Sequence, residues 1–209
     1  MKTRFLLSGL LLATSFTYAS DFKLGYVDVG KIFTTSKPAV AMQNNLKARF
    51  APQQAELKAM NDSIVKQQGA IQAIMKKAPS MDKLSASDKA TLEKLGAQYQ
   101  KDQGAFQQKY MMFQQGSKQV QDYASALILS KANTILKDIS DKGNYDLVLT
   151  SNQLAYAKPK YDLTDQVIEQ LNKVDSAALL KQLTDAEKQA AAGVPMGAPA
   201  AIAPPAAPK

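Results

Sequence analysis

LEKLGAQYQKDQGAFQQKYMMFQQGSKQVQDYASAL, residues 92–127, is the stretch whose spacing decides the fold. Every seventh residue is apolar: Leu92, Tyr99, Phe106, Phe113, Val120 and Leu127. Three residues further on, the companions are Leu95, Asp102, Lys109, Gly116, Tyr123 and Ser130, of which only Leu95 and Tyr123 are apolar. A heptad seam uses two apolar rows, and here one is complete and the other mostly missing. The pattern predicts a long helix with one thin apolar line. Such a line holds one partner helix and leaves too little apolar surface for a compact core.

The partner precedes it. Phe50, Leu57, Ile64 and Ile71 form a second seven-residue line, with Leu46, Gln53, Met60, Gln67 and Ile74 as companions. Thr34, Thr35 and Ser36 offer caps, and Pro38 suits a first helical turn. About 40 residues at a rise of 1.5 Å give a rod of roughly 60 Å. Pro52 predicts a kink inside it. Residues 78–82, APSMD, break the pattern, and Ser85 with Asp88 reads as the cap of the returning helix. The expectation is an antiparallel helical hairpin. Gly69, Gly96, Gly104 and Gly116 each cost about 1 kcal/mol relative to alanine in a helix, so the rods are compliant.

Outside the hairpin the pattern changes. Residues 23–33, KLGYVDVGKIF, read as a strand with a short tail. The returning helix stops near Gly143. Residues 144–150, NYDLVLT, and 154–158, LAYAK, read as a second and a third strand around a Ser151-Asn152 turn. After Pro159, Asp162 or Thr164 caps a helix with Leu163, Val167, Ile168, Leu171 and Val174 on its apolar side. The fold class is therefore α+β. A small β body of three short strands, residues 20–36 and 126–174, carries a long protruding hairpin arm, residues 37–125. Residues 175–189 form one further helix, and 190–209 are an Ala/Pro-rich tail, disordered and partly polyproline-like. Three strands alone leave open sheet edges, so self-association is expected.

The chain has 209 residues and no cysteine, histidine or tryptophan. That excludes thiol nucleophiles, imidazole bases and His/Cys metal sites. Residues 1–19 combine a positive start, an apolar run and small residues before a cut after Ala19, the pattern of a cleaved signal peptide. The net charge of +8 is unevenly spread: residues 37–125 hold 13 basic and 7 acidic side chains, while the chain from Ser20 is otherwise balanced. Lysines on a helix are ordinarily just solvated; their segregation onto the arm is the stronger observation. Lys66, Lys76, Lys77, Lys83, Lys89 and Lys94 lie toward its tip. Ser-x-x-Lys occurs at Ser20, Ser63 and Ser80 without the partners a serine hydrolase needs. DISDKG at 138–143 fails as a calcium loop because Lys142 occupies a ligand position. Neither a catalytic frame nor a cofactor or metal site is expected.

With these elements in order, the chain resembles the Skp/OmpH family of periplasmic chaperones. The resemblance is carried by GYVDVGKIF, the long polar hairpin, and NYDLVLTSNQLAYAKPKYDLTDQVIEQLNK, residues 144–173. It covers 21–174; the residues after Asp175 fall outside it. It implies a homotrimer with the strands pooled in a central barrel and the hairpins enclosing a cavity. It further implies ATP-independent holding of unfolded outer-membrane proteins in the periplasm, and contact with anionic lipid or lipopolysaccharide surfaces.

The residues suit that role. A compliant arm that is positive and partly apolar matches a cargo that is anionic and partly apolar. Lys66, Lys76, Lys77, Lys83, Lys89, Lys94, Tyr110, Met111 and Met112 are the expected client-binding side chains, methionine being adaptable at promiscuous surfaces. Phe50, Leu57, Ile64, Ile71, Leu92, Tyr99, Phe106, Phe113 and Val120 are the expected seam. Two rivals fit less well. A coiled-coil tether between envelope layers would not keep unfolded clients soluble. A nucleic-acid binder is suggested only by the basic charge, and no reading motif accompanies it.

Overall fold

A computed structural model of the chain describes residues 22–192 and Met196. The expected leader, and most of the expected tail, lie outside the described residues.

Strand β1 (Leu24–Val27) is only four residues long. Asp28 ends it by capping helix α1 (Val29–Thr35), its carboxylate accepting from the Lys31 backbone N–H at 3.0 Å. The strand expected over 23–33 is thus corrected: its second half is helical and buries Ile32. Ser36 then opens helix α2 (Lys37–Met75), with Pro38 in the first turn. The Ser36 hydroxyl makes no capping bond; it is buried and unpartnered. Helix α2 runs on through Pro52, which sits on its exposed side.

A 3-10 turn at Met81–Lys83 reverses the chain. Ser85 caps helix α3 (Ala86–Gly143): its Oγ accepts from the Asp88 N–H at 3.0 Å and donates to the Asp88 carboxylate at 2.8 Å. At the far end Gly143 is still helical. The reversal falls on Asn144, which takes the left-handed conformation at φ 49°. Glycine is needed at 143 for space, because any side chain there would meet the Tyr145 ring.

Strand β2 (Leu147–Thr150) lies parallel to β1, with Leu24 opposite Leu147 and Val27 opposite Thr150. The whole hairpin is therefore inserted between two neighbouring strands. Lys23 pins the closure: its backbone N–H donates to Asp146 at 2.6 Å, and its ammonium donates to the Gly143 carbonyl at 2.7 Å. The expected third strand does not form. Residues 154–158 run between two 3-10 turns, Ser151–Gln153 and Pro159–Tyr161. The other edge of β1 is met by Asp162 and Leu163, through a single bridge to Tyr26 and a 2.8 Å bond from Leu163 N–H to the Tyr26 carbonyl. Both edges of β1 are thus taken while the outer edge of β2 stays open, and among the described residues the sheet has two strands.

Helix α4 (Thr164–Leu171) is keyed to β1 by Thr164, whose hydroxyl accepts from the Asp28 N–H at 2.8 Å. Helix α5 (Ser176–Ala191), capped by Asp175, follows. The core gathers Val27, Ile32, Met42, Leu127, Ile128, Leu163, Val167, Leu171, Leu179 and Leu183. Every element contributes to it except β2, whose Val148 packs against its side.

Candidate functional site

No residue between Leu46 and Val120 belongs to the core or packs against it. That stretch is held by its own seam. Phe50 meets Phe113 edge to face at 5.9 Å, Glu56 pairs with Lys109, and Lys77 pairs with Asp88 at 2.6 Å. Ascending numbers on α2 meet descending numbers on α3, so the hairpin is antiparallel. Leu57 and Ile64 are buried; Phe50, Ile71, Leu92, Tyr99, Phe106, Phe113 and Val120 are half-buried. None of the nine is fully exposed.

The second row, short of apolar residues, is bridged by polar ones. Gln67 donates to one oxygen of Asp102 at 2.6 Å, and Gln98 donates to the other at 2.7 Å. The Gln67 bond, then the Gln98 bond, hold the Asp102 carboxyl below its ordinary range. At the tip, Lys77 and then Ser85 lower Asp88 in the same way. These partners fix register without making the seam dry.

One pair in that row leaves a hole. The register that sets Gln67 against Asp102 sets Gln53 across from Gly116. Neither fills the space, and a side chain at Gly116 would meet nothing within 4 Å. The result is a cavity of ≈ 660 Å³ walled by Phe50, Leu57, Met112, Phe113 and Val120. Arg49 from α2 and Glu187 from α5 form an ion pair at its edge. Burial pushes the Glu187 carboxyl up, and Arg49 partly offsets that. The missing side chains in the heptad hinted at this hole. The part played by Arg49 and Glu187 had no local signal, because it depends on where α5 docks.

The expected client-binding residues fall into two groups. Tyr110, Met111 and Met112 are 43%, 69% and 67% exposed. Tyr110 stacks on Phe106 at 5.8 Å, so its ring is anchored while its edge stays open. Lys66, Lys76, Lys83 and Lys94 are exposed and form no ion pair among the described residues, whereas Lys77 is tied to Asp88 and Lys89 donates to the Asp82 carbonyl at 3.2 Å. The sequence reasoning missed Val65, Met75 and Met81, exposed apolar side chains toward the same end. Their signal was available: each is apolar but off the seven-residue lines.

Among the described residues no cluster of acids could hold a metal ion, and no helix is long and apolar enough to cross a membrane. The arrangement offers adhesion: open apolar side chains, unpaired cations and a partly lined hole.

Comparison with known proteins gives a consistent result. The model of the family described as outer membrane protein (OmpH-like) matches residues 23–171. The chain is 29% identical over 163 residues to a chaperone protein Skp of Yersinia enterocolitica, covering 78% of this chain and 93% of the relative. It is 28% identical over 173 residues to the protein of that name in Escherichia coli K12, covering 82% and 99%. A crystal structure of an OmpH-like protein from Caulobacter crescentus CB15 has a TM-score of 0.54 at 20% identity, covering 72% of this chain and 84% of that one. That likeness concerns the fold. Helix α5 lies beyond the family match.

Proposed function

Since the chain belongs to the OmpH-like family of outer membrane proteins, we propose that it is an ATP-independent holdase. In this reading it captures unfolded outer-membrane β-barrel proteins in the periplasm and keeps them from aggregating, and it is not an enzyme. The observation that carries the reading is the exposure of Met111 and Met112 on an arm that contributes nothing to the core. Large apolar side chains left open in a row, beside cations, suit a ligand with its own exposed apolar and acidic groups. The relatives' name, chaperone, agrees. The test is dilution of a denaturant-unfolded barrel protein into buffer, followed by light scattering. Suppression by stoichiometric chain without nucleotide is expected; undiminished aggregation overturns the reading.

The lysines at the tip contribute steering. Neutralising Lys76, Lys77, Lys83 and Lys89 together should slow client capture several-fold at low salt. The difference should shrink near 0.15 M, where the screening length is about 8 Å. Stopped-flow capture at two ionic strengths measures both. An unchanged low-salt rate would reduce these lysines to solvated surface.

The homotrimer belongs to the same proposal. Among the described residues strand β2 pairs on one side only, Leu147 is 41% exposed, and 154–158 have no strand partner. Pooling such edges between copies satisfies both. Sedimentation should give the mass of three chains, and a single-chain mass would refute the assembly. Contact with anionic lipid or lipopolysaccharide surfaces is part of the reading through the same tip lysines.

A further inference from the structure

Helix α5 does more than extend the body. It carries the chain out along the root of the arm, placing Glu187 at the edge of the cavity. Met196 lies against α3 among Gln115, Lys118, Gln119, Asp122, Tyr123 and Ala126. Gln119, Gln115, Met112 and Gln108 succeed one another at steps of four, three and four, so they share one face of α3. A chain that continues from Met196 toward the arm tip along that face next meets Met112, which lines the cavity.

We propose that residues 197–209 dock back into this cavity as an occupant supplied by the chain itself. Chemistry and length both fit. GAPAAIAPPAAPK holds four prolines and six alanines, and Ile202 is its one large apolar side chain. Proline-rich segments enter grooves lined by aromatic rings because their extended form loses little freedom on binding. The cavity supplies Phe50 and Phe113. Ile202 is six residues past Met196, a reach of about 19 Å at 3.1 Å per residue. The cavity's middle lies roughly eight residues along α3 from the Met196 contacts, about 12 Å of axial rise. The tether is therefore long enough for Ile202 to reach the cavity. A tethered segment acts at an effective concentration on the order of millimolar, so weak contacts suffice to hold it. The tail then covers the same apolar surface as a client and competes with it. Only this competition, not the docking, rests on the holdase reading.

The chain has no cysteine, which makes the test clean. Gly116→Cys fits the open cavity, and Ile202→Cys marks the tail. Under mild oxidation the full-length pair should form a disulfide within one chain at least tenfold faster than a control pair of Ile202→Cys with Val65→Cys. Rates equal to the control, or a bond formed only between chains, overturn the docking; the second outcome assigns the cavity to the tail of another copy. In a parallel measurement, a chain ending at Met196 should capture an unfolded barrel protein at least threefold faster than the full chain. Equal rates overturn the competition. A disulfide that forms while neither chain captures the client would instead refute the holdase reading and leave the docking intact.

Discussion

A chain in which residues 47–117 are replaced by a short turn should fold, assemble and fail completely to suppress client aggregation. The expectation of folding comes from the core. Every buried core residue, from Val27 to Leu183, lies outside the deleted stretch, and so do the partly buried Leu46 and Val120 that pack against it. What is lost is the seam, the cavity, the tip lysines and the three exposed residues Tyr110, Met111 and Met112. The Arg49–Glu187 ion pair is lost as well, but removing the arm also uncovers Glu187, 13% exposed in the full chain, so its carboxylate is left in water and not buried without a partner. Circular dichroism and urea unfolding check that the shortened chain is folded, sedimentation checks the assembly, and light scattering checks the activity. Residual protection close to that of the full chain would move the client site onto the body. A shortened chain that does not fold would show that the arm stabilises the body, contrary to its absence from the core.

The arm was legible in the sequence because its physics is local. A seven-residue spacing fixes which side of a helix meets its partner, whatever the rest of the chain does. Leu57 and Ile64 are buried and Phe106 and Phe113 half-buried. Even the failures of the pattern carried meaning. Asp102 and Lys109 interrupt the apolar row, and the structure gives each a partner on α2, Gln67 and Glu56. Gly116 interrupts it too, and there the structure has the cavity.

The body was less legible because its elements are short and depend on non-local partners. Val29, Ile32 and Phe33 favour a strand by composition. Asp28 outweighs them by capping, and Asp-Val-Gly-Lys was the signal to weigh. Residues 154–158 look like a strand, yet they form no ladder within the described residues: Asp162 with Leu163 takes the outer edge of β1, and the outer edge of β2 stays open. Sequence spacing alone could not show which of these edges is taken and which stays open. The exposed residues expected to meet a client were legible only as composition: a helical residue off the seam is exposed, but nothing local says what it touches.

Helix α5 gives the second large expected effect. Leu183→Ala should lower stability by about 3 kcal/mol, within the 2–5 kcal/mol usual for a buried leucine cut to alanine. Leu183 is 0% exposed and Leu179 1%, and both belong to the core with Val167 and Leu171. Their side of α5 faces α2 and α3, so the truncation leaves a hole between three helices. With a urea slope of about 2 kcal/mol per molar, the unfolding midpoint should fall by roughly 1.5 M. Lys181→Ala, on the exposed side of the same helix, should leave the midpoint within about 0.25 M, since surface changes usually stay within 0.5 kcal/mol. The contrast matters because this helix stands beyond the family match at 23–171. If it were an appendage, both substitutions would be silent. The burial of Leu179 and Leu183 makes it part of the body instead, and its far end then holds Glu187 against Arg49 at the root of the arm. Loosening α5 should therefore also free the arm's root, so Leu183→Ala should raise amide exchange around residues 46–50 as well as in α5. Exchange confined to α5 would separate the helix from the arm and leave the ion pair without mechanical consequence.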